Sequence, residues 1–180
     1  MIFTFIFGII ICSNIFASSD IKINVNGKEI KSDVECYIKN DRVMVPVRFI
    51  TEELGDEVKY NKNEEYNYQS VYVRGTYEPL GISLHIGSPI AKISEGAYRA
   101  DVAPEIKNGR TMVPLRFIAD YLNLDVKWYE NTRTVYLKNS DKDWLKNFHE
   151  KYFDEKAAKK MGKRLTNPNK THEEYLEIYK

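Results

Sequence analysis

The sequence predicts an α+β fold: a duplicated unit of antiparallel strands curled around two short helices, followed by a charged helical C-terminal extension. Three observations predict it. The phrase Asp41-Arg42-Val43-Met44-Val45-Pro46-Val47-Arg48-Phe49-Ile50 returns 68 residues later as Gly109-Arg110-Thr111-Met112-Val113-Pro114-Leu115-Arg116-Phe117-Ile118. The register runs on through Glu52/Asp120, Leu54/Leu122, Val58/Val126 and Tyr60/Trp128, which marks two copies of one supersecondary unit. Turn pairs such as Asn26-Gly27 and Asn108-Gly109 separate short alternating runs, as in hairpins whose turn residues take positive φ. After each repeated Pro, apolar residues recur with the period of a helix that buries one face.

The elements follow in order. Ile21–Val25 alternates apolar and polar and turns back at Asn26-Gly27. Tyr37–Val45 is a second hairpin turning at Asn40-Asp41, and residues 105–113 repeat it around Asn108-Gly109. Pro46 and Pro114 stand where a helix opens, since the missing N–H is unpaired there anyway. Val47, Ile50 and Leu54, with Phe49 beside them, form the first helix stripe; Leu115, Ile118 and Leu122, with Phe117 and Tyr121, form the second. Gly55 and Asn123 suit a left-handed helix end. Glu57–Tyr60 and Asp125–Trp128 are strands that pair with Gln69–Val73 and Arg133–Leu137. Ile82–Ser88 and Ile90–Ile93 add two more around a Gly-Ser-Pro turn. Neither helix can bury its stripe alone, so the copies, about 20–76 and 77–139, are expected to share one core.

Beyond Asn139 the chain becomes charged and helical. Trp144, Phe148 and Tyr152 fall at i, i+4 and i+8, with Leu145 and Phe153 alongside. Such a stripe needs a packing surface, because short helices are marginal in water. The repeat looks complete at Asn139, which favours docking on a partner or a second copy over docking on the repeat itself. A basic cluster follows at Lys159, Lys160, Lys163 and Arg164, and Thr171-His172-Glu173-Glu174 is a capping-box pattern for a short last helix.

Residues 1–19 form an almost wholly apolar run ending in Ala17-Ser18-Ser19, the pattern of an export signal, although no Lys or Arg precedes it. The alternative is an uncleaved anchor, and about 20 apolar residues are needed to span a bilayer. Cys12 follows Ile10-Ile11, not the small residue of a lipid-anchor site. Cleavage would leave Cys36 alone, so no intramolecular disulfide is expected; its alternating run makes it a small core residue. With 27 basic and 26 acidic residues the formal net charge is +1, which argues against general nucleic-acid binding.

Few residues offer chemistry. Arg48 and Arg116 precede Glu52 and Asp120 by four positions and can pair with them along a helix face. Arg42 and Arg110 follow the hairpin turns and can bond loop carbonyls. The functional alternative for these arginines is an anion-binding pair. Tyr60 to Tyr77 holds five tyrosines, and Tyr66, Tyr68, Tyr72 and Tyr77 are candidates for stacking on sugar rings; half-buried packing is the plainer reading. The basic cluster can meet anionic polymers or headgroups, or be a solvated helix end. His85, His149 and His172 are scattered, and no Ser-His-Asp set, metal-spaced cluster or phosphate loop appears.

The double phrase, with Asn26-Gly27 upstream, Ile86-Gly87-Ser88 between and Asp125-Val126-Lys127-Trp128 after it, closely resembles the copper amine oxidase N-terminal-like, or stalk, domain family of exported Gram-positive bacterial proteins. The resemblance covers about residues 20–139. It implies a non-catalytic extracellular module, without the copper and quinone chemistry of the oxidase domain: Asn67-Tyr68 is followed here by Gln69, and no His-x-His pair occurs. No cofactor or metal is expected. The resulting expectation is a secreted or surface spacer or interaction domain, meeting a wall polymer or another surface protein, with self-association through the C-terminal helix. A wall-polysaccharide module using the Tyr-rich insert and a small hydrolase with unidentified carboxylates are the alternatives.

Overall fold

The computed structural model describes residues 20–64, 68–75, 81–94 and 96–165, with the backbone alone for 162–165. The first copy runs β1 (Lys22–Val25), β2 (Lys28–Ile30), β3 (Tyr37–Lys39), β4 (Arg42–Pro46), α1 (Val47–Leu54), β5 (Glu57–Asn63) and β6 (Tyr68–Arg74). After β7 (Ile82–His85), the second copy repeats the order as β8 (Ile90–Ile93), β9 (Gly96–Arg99), β10 (Glu105–Lys107), β11 (Arg110–Pro114), α2 (Leu115–Tyr121), β12 (Leu124–Tyr129) and β13 (Thr134–Asn139). Then come α3 (Trp144–Tyr152) and α4 (Glu155–Leu165).

Turn chemistry acts where the sequence places it. Asn26, Asn40, Asp41 and Asn108 take positive φ, as do Gly27 and Gly109, which matches the twist of the flanking strands. Gly55 ends α1 in the left-handed region at φ 77°, and Asn123 does the same after α2 at φ 55°. Pro46 and Pro114 lie one residue earlier than expected: each ends its strand and caps the helix from outside.

Every sheet draws on both copies. In the order β12-β13-β1-β2, the last hairpin of copy two lies beside the first hairpin of copy one. The order β5-β6-β7-β8-β9 makes the converse match. The two differ for a topological reason. β1 and β13 pair in parallel, a departure from the all-antiparallel expectation that is open to them because no short loop joins them. β6 and β8 are consecutive in the repeat, and a parallel step between them needs a long crossover. β7 instead enters between them, antiparallel to both.

The third sheet, β10-β11-β4-β3, puts the repeated phrases side by side. It curls until its two edge strands meet: Tyr37 and Lys39 of β3 both donate to the Glu105 carboxylate of β10. Lys107 Nζ closes the seam, 3.7 Å from the Tyr37 ring centre. Val34, Met44, Val102 and Met112 pack inside the curl.

On the other face lies the main core, with Val45, Ile50, Val113, Leu115, Phe117, Ile118, Tyr121 and Leu122 among its members. Phe49 and Leu54, expected there, are only half-buried. The contrast between Phe117 and Phe49 comes from α3. Its Phe148 and Tyr152 rings stand 5.4 and 4.8 Å from Phe117, whereas the neighbours of α1 are strands β4, β5 and β11.

This overturns the preference for a partner-docked helix. α3 buries Trp144, Phe148 and Tyr152 in the core of the repeat itself, and leaves Leu145 and Phe153 exposed. The repeat was not complete at Asn139: Phe117 and Tyr121 need that cover. Asp143 caps α3 through Lys146 N at 3.3 Å, and Tyr152 Oη donates to Asp120 at 2.5 Å. α4 then lays Ala157 and Met161 against Ile90 and Ala97.

Candidate functional site

The repeated arginines brace the copies reciprocally. Arg42 Nε donates to Asp101 at 2.6 Å, while Arg110 grips Asp33, with Nε 3.3 Å from Oδ1. Asp33 and Asp101 are themselves repeat equivalents, so each copy's hairpin reaches into the other. The expected carbonyl bonds also form, to Asp41 O at 3.0 Å and Gly109 O at 3.4 Å. Arg48 stands 3.9 Å from Glu52. The second helix pair does not follow suit, because Asp120 is taken by Tyr152 and Lys151 of α3.

Between the copies lies a groove of about 440 Å³. Its lining includes Arg48, from the start of α1, and Arg110, from the hairpin of copy two, with Tyr60, Val58, Gln69 and Ile106. β5 and β6 of copy one and the β10–β11 hairpin of copy two both contribute to its lining. Copy two puts the larger Trp128, packed against the core, where Tyr60 stands exposed. The lining holds two guanidinium groups, a phenol, an amide and the Thr111 hydroxyl, with no carboxylate, histidine or cysteine. Such a set can bind an anion or a ring; it offers no acid-base pair.

The other candidates are dispersed. Tyr66 and Tyr77 lie outside the described residues. Tyr68 is exposed at the start of β6, 5.8 Å from the His85 ring. Tyr72 is half-buried with its phenol over Gly81, where an added Cβ would fall 1.9 Å from Oη. Lys159 pairs with Glu155 at 2.6 Å, Lys160 is exposed, and the Lys163 and Arg164 side chains lie outside the description. Among the described residues no His, Cys, Asp and Glu group could hold a metal, and no helix is long and apolar enough to cross a membrane. Burial pushes the Cys36 thiol up to about 11, so at neutral pH it is a thiol and a poor nucleophile.

Sequence reasoning missed the groove and the partners Asp33, Asp101 and Glu105. A usable signal existed. Asp33/Asp101 and Val34/Val102 continue the 68-residue offset upstream of the obvious phrase, and Tyr37 and Glu105 occupy equivalent positions at the same separation.

Residues 24–137 match the family model of the copper amine oxidase N-terminal domain. A protein from Brevibacillus choshinensis named "Protease inhibitor" is 29% identical over 126 residues, 68% of this chain and 36% of its own length. The chain thus spans little more than a third of that relative. No solved structure matches.

Proposed function

This chain belongs to the copper amine oxidase N-terminal domain family, a family of non-catalytic, typically extracellular stalk-type modules, and we propose that it is exported and works at the cell surface or wall as a spacer or interaction domain. The observation that carries this is the reciprocal Arg42–Asp101 and Arg110–Asp33 bracing. The repeated charges are spent on holding the copies together beside a groove with binding chemistry only. The reading is of a non-enzyme, and it treats residues 1–19 as a signal cleaved near Ser19.

Fractionating cells and sequencing the N-terminus of the surface or secreted form tests it. A mature chain starting near Asp20 supports the proposal; an intact chain in the cytoplasm sinks it. Turnover in a hydrolase screen would move the chain to the enzyme class.

A second reading comes from the Brevibacillus relative's name: this chain inhibits a protease. Titrating serine, cysteine and metalloproteases with the purified chain decides it. Stoichiometric loss of activity would put this reading first.

A further inference from the structure

We propose that the outer face of the β12-β13-β1-β2 sheet is a binding platform for an anionic polysaccharide, built around Tyr129 and Tyr136. The two rings are 5.1 Å apart and edge to face, and each is 43% exposed. Strand alternation puts them outward, since Val135 and Leu137 on either side of Tyr136 are buried. Register builds the surroundings. Lys127 lies opposite Tyr136, and Asn24 flanks Tyr136 on its other side. Lys22 and Tyr129 both neighbour Thr134, and Lys138 is the next outward residue along β13.

Charge selects the occupant. Lys22, Lys127 and Lys138 are exposed, and Lys127 Nζ stands 4.8 Å from the Tyr129 ring centre. Asp125, opposite Lys138, is already paired with Lys142, and Glu29 lies at the far strand. The face is therefore aromatic and net cationic. Tyrosine rings stack on the C–H faces of sugars while their hydroxyls bond ring substituents, and lysines supply point charges for anionic groups.

The duplication supplies an internal comparison. Copy one keeps the cross-strand pair as Lys59 and Tyr72, but Tyr72 is half-covered and Asn61 stands where copy two has Tyr129. The second copy has opened the pair and added a ring. The inference rests on the surface reading only for where the polymer is met; binding in a test tube does not depend on it.

The test is affinity electrophoresis of the full chain through native gels containing polygalacturonate or neutral dextran. Polygalacturonate should retard the chain, weakening as salt rises, and dextran should not. Y129A/Y136A and K127Q/K138Q should each weaken retardation about tenfold, with thermal melting confirming that both fold. L145A, at an exposed position of α3, should leave it unchanged. If the double tyrosine variant does not fold, Y129A alone carries the aromatic arm. No retardation of the unaltered chain, equal retardation by dextran, insensitivity to the tyrosines, or loss of a dimer instead of loss of binding would each overturn the platform. Failure here with surface localisation intact would leave the module reading standing.

Discussion

Val45 and Val113, each the other's repeat equivalent, face one another directly across the β4–β11 ladder. Met44 pairs with Pro114 and Pro46 with Met112, so the ladder maps each copy onto the other about an axis through the two valines. The axis continues on both faces. Met44 and Met112 sit in the small core, Val45 and Val113 in the large one, and the crossed Arg–Asp pairs lie on either side.

This contact predicts coupling. Val45→Ala and Val113→Ala should each cost about 2 kcal/mol from two lost buried carbons and the cavity left. Because the residues are direct neighbours, the double variant should depart from the sum by about 0.5 kcal/mol or more. Urea denaturation of the four proteins measures it; strict additivity would mean that the valines do not meet.

The asymmetry of the repeated phenylalanines predicts unequal costs. Phe117→Ala removes a ring enclosed by Phe148 and Tyr152 and should cost about 3–5 kcal/mol. Phe49→Ala, on a half-buried ring, should cost less than half as much. Equal losses in a denaturant series would contradict the cover given by α3.

The hairpin turns differ at one position, and that predicts a gain. Asp41 takes φ 59° where its equivalent, Gly109, takes φ 73°. A non-glycine residue is strained there. Asp41→Gly should therefore raise stability by up to about 1 kcal/mol, and Gly109→Asp should lower it by a similar amount. Thermal melts of the two single variants check both signs.

The fold was legible to the extent that physics repeats in the sequence. Turns at Asn26-Gly27 and Asn108-Gly109, the caps Gly55 and Asn123 and the two helix stripes are local, so the residues themselves specify them. What lay beyond reach was non-local. Nothing in the composition of β1 says that it pairs in parallel with β13, or that β7 slips between two strands that would otherwise need a crossover. The docking of Phe148 on Phe117 was invisible for a related reason: the periodicity of α3 gives its apolar face but not the surface that receives it. The groove likewise depends on Tyr60 and Arg110, which come from different copies and are 50 residues apart in sequence.

Acid should loosen the C-terminal helices. The Asp154 carboxylate accepts from Ala157 N at 2.9 Å and pairs with Arg99 at 2.7 Å; the backbone bond above all, with Arg99, holds it below its ordinary 3.8. Lys39, then Tyr37, does the same for Glu105. A depressed carboxylate contributes stability that is present above its unfolded pKa and is lost as pH falls through the folded one. Melting temperature should hold near neutrality and drop below about pH 4, with Asp154→Asn flattening part of that drop. At the other limit, burial and Asp120 raise Tyr152 above its ordinary 10.0, so stability should also fall as pH climbs past about 10.

Removal of the chain after Asn139 is the sharpest test of how far the fold extends. The family match ends at residue 137, so a truncated chain keeps the whole matched region. If that region were self-sufficient, little would change on melting. The geometry argues otherwise. Phe117 and Tyr121 are covered by Trp144, Phe148 and Tyr152 through four ring contacts of 4.8–5.9 Å. Exposing Phe117 and Tyr121 forfeits burial of about 1.5–3 kcal/mol for each large side chain, and Asp120 loses Tyr152 and Lys151 as well. For a domain of this size each kcal/mol is about 2–4 °C, so truncation should lower the melting temperature by about 10 °C or more. It should also leave an apolar face that promotes association of the shortened chain, read by light scattering. A truncated chain that melts with the intact one and stays monomeric would show that α3 rides on the core without supporting it.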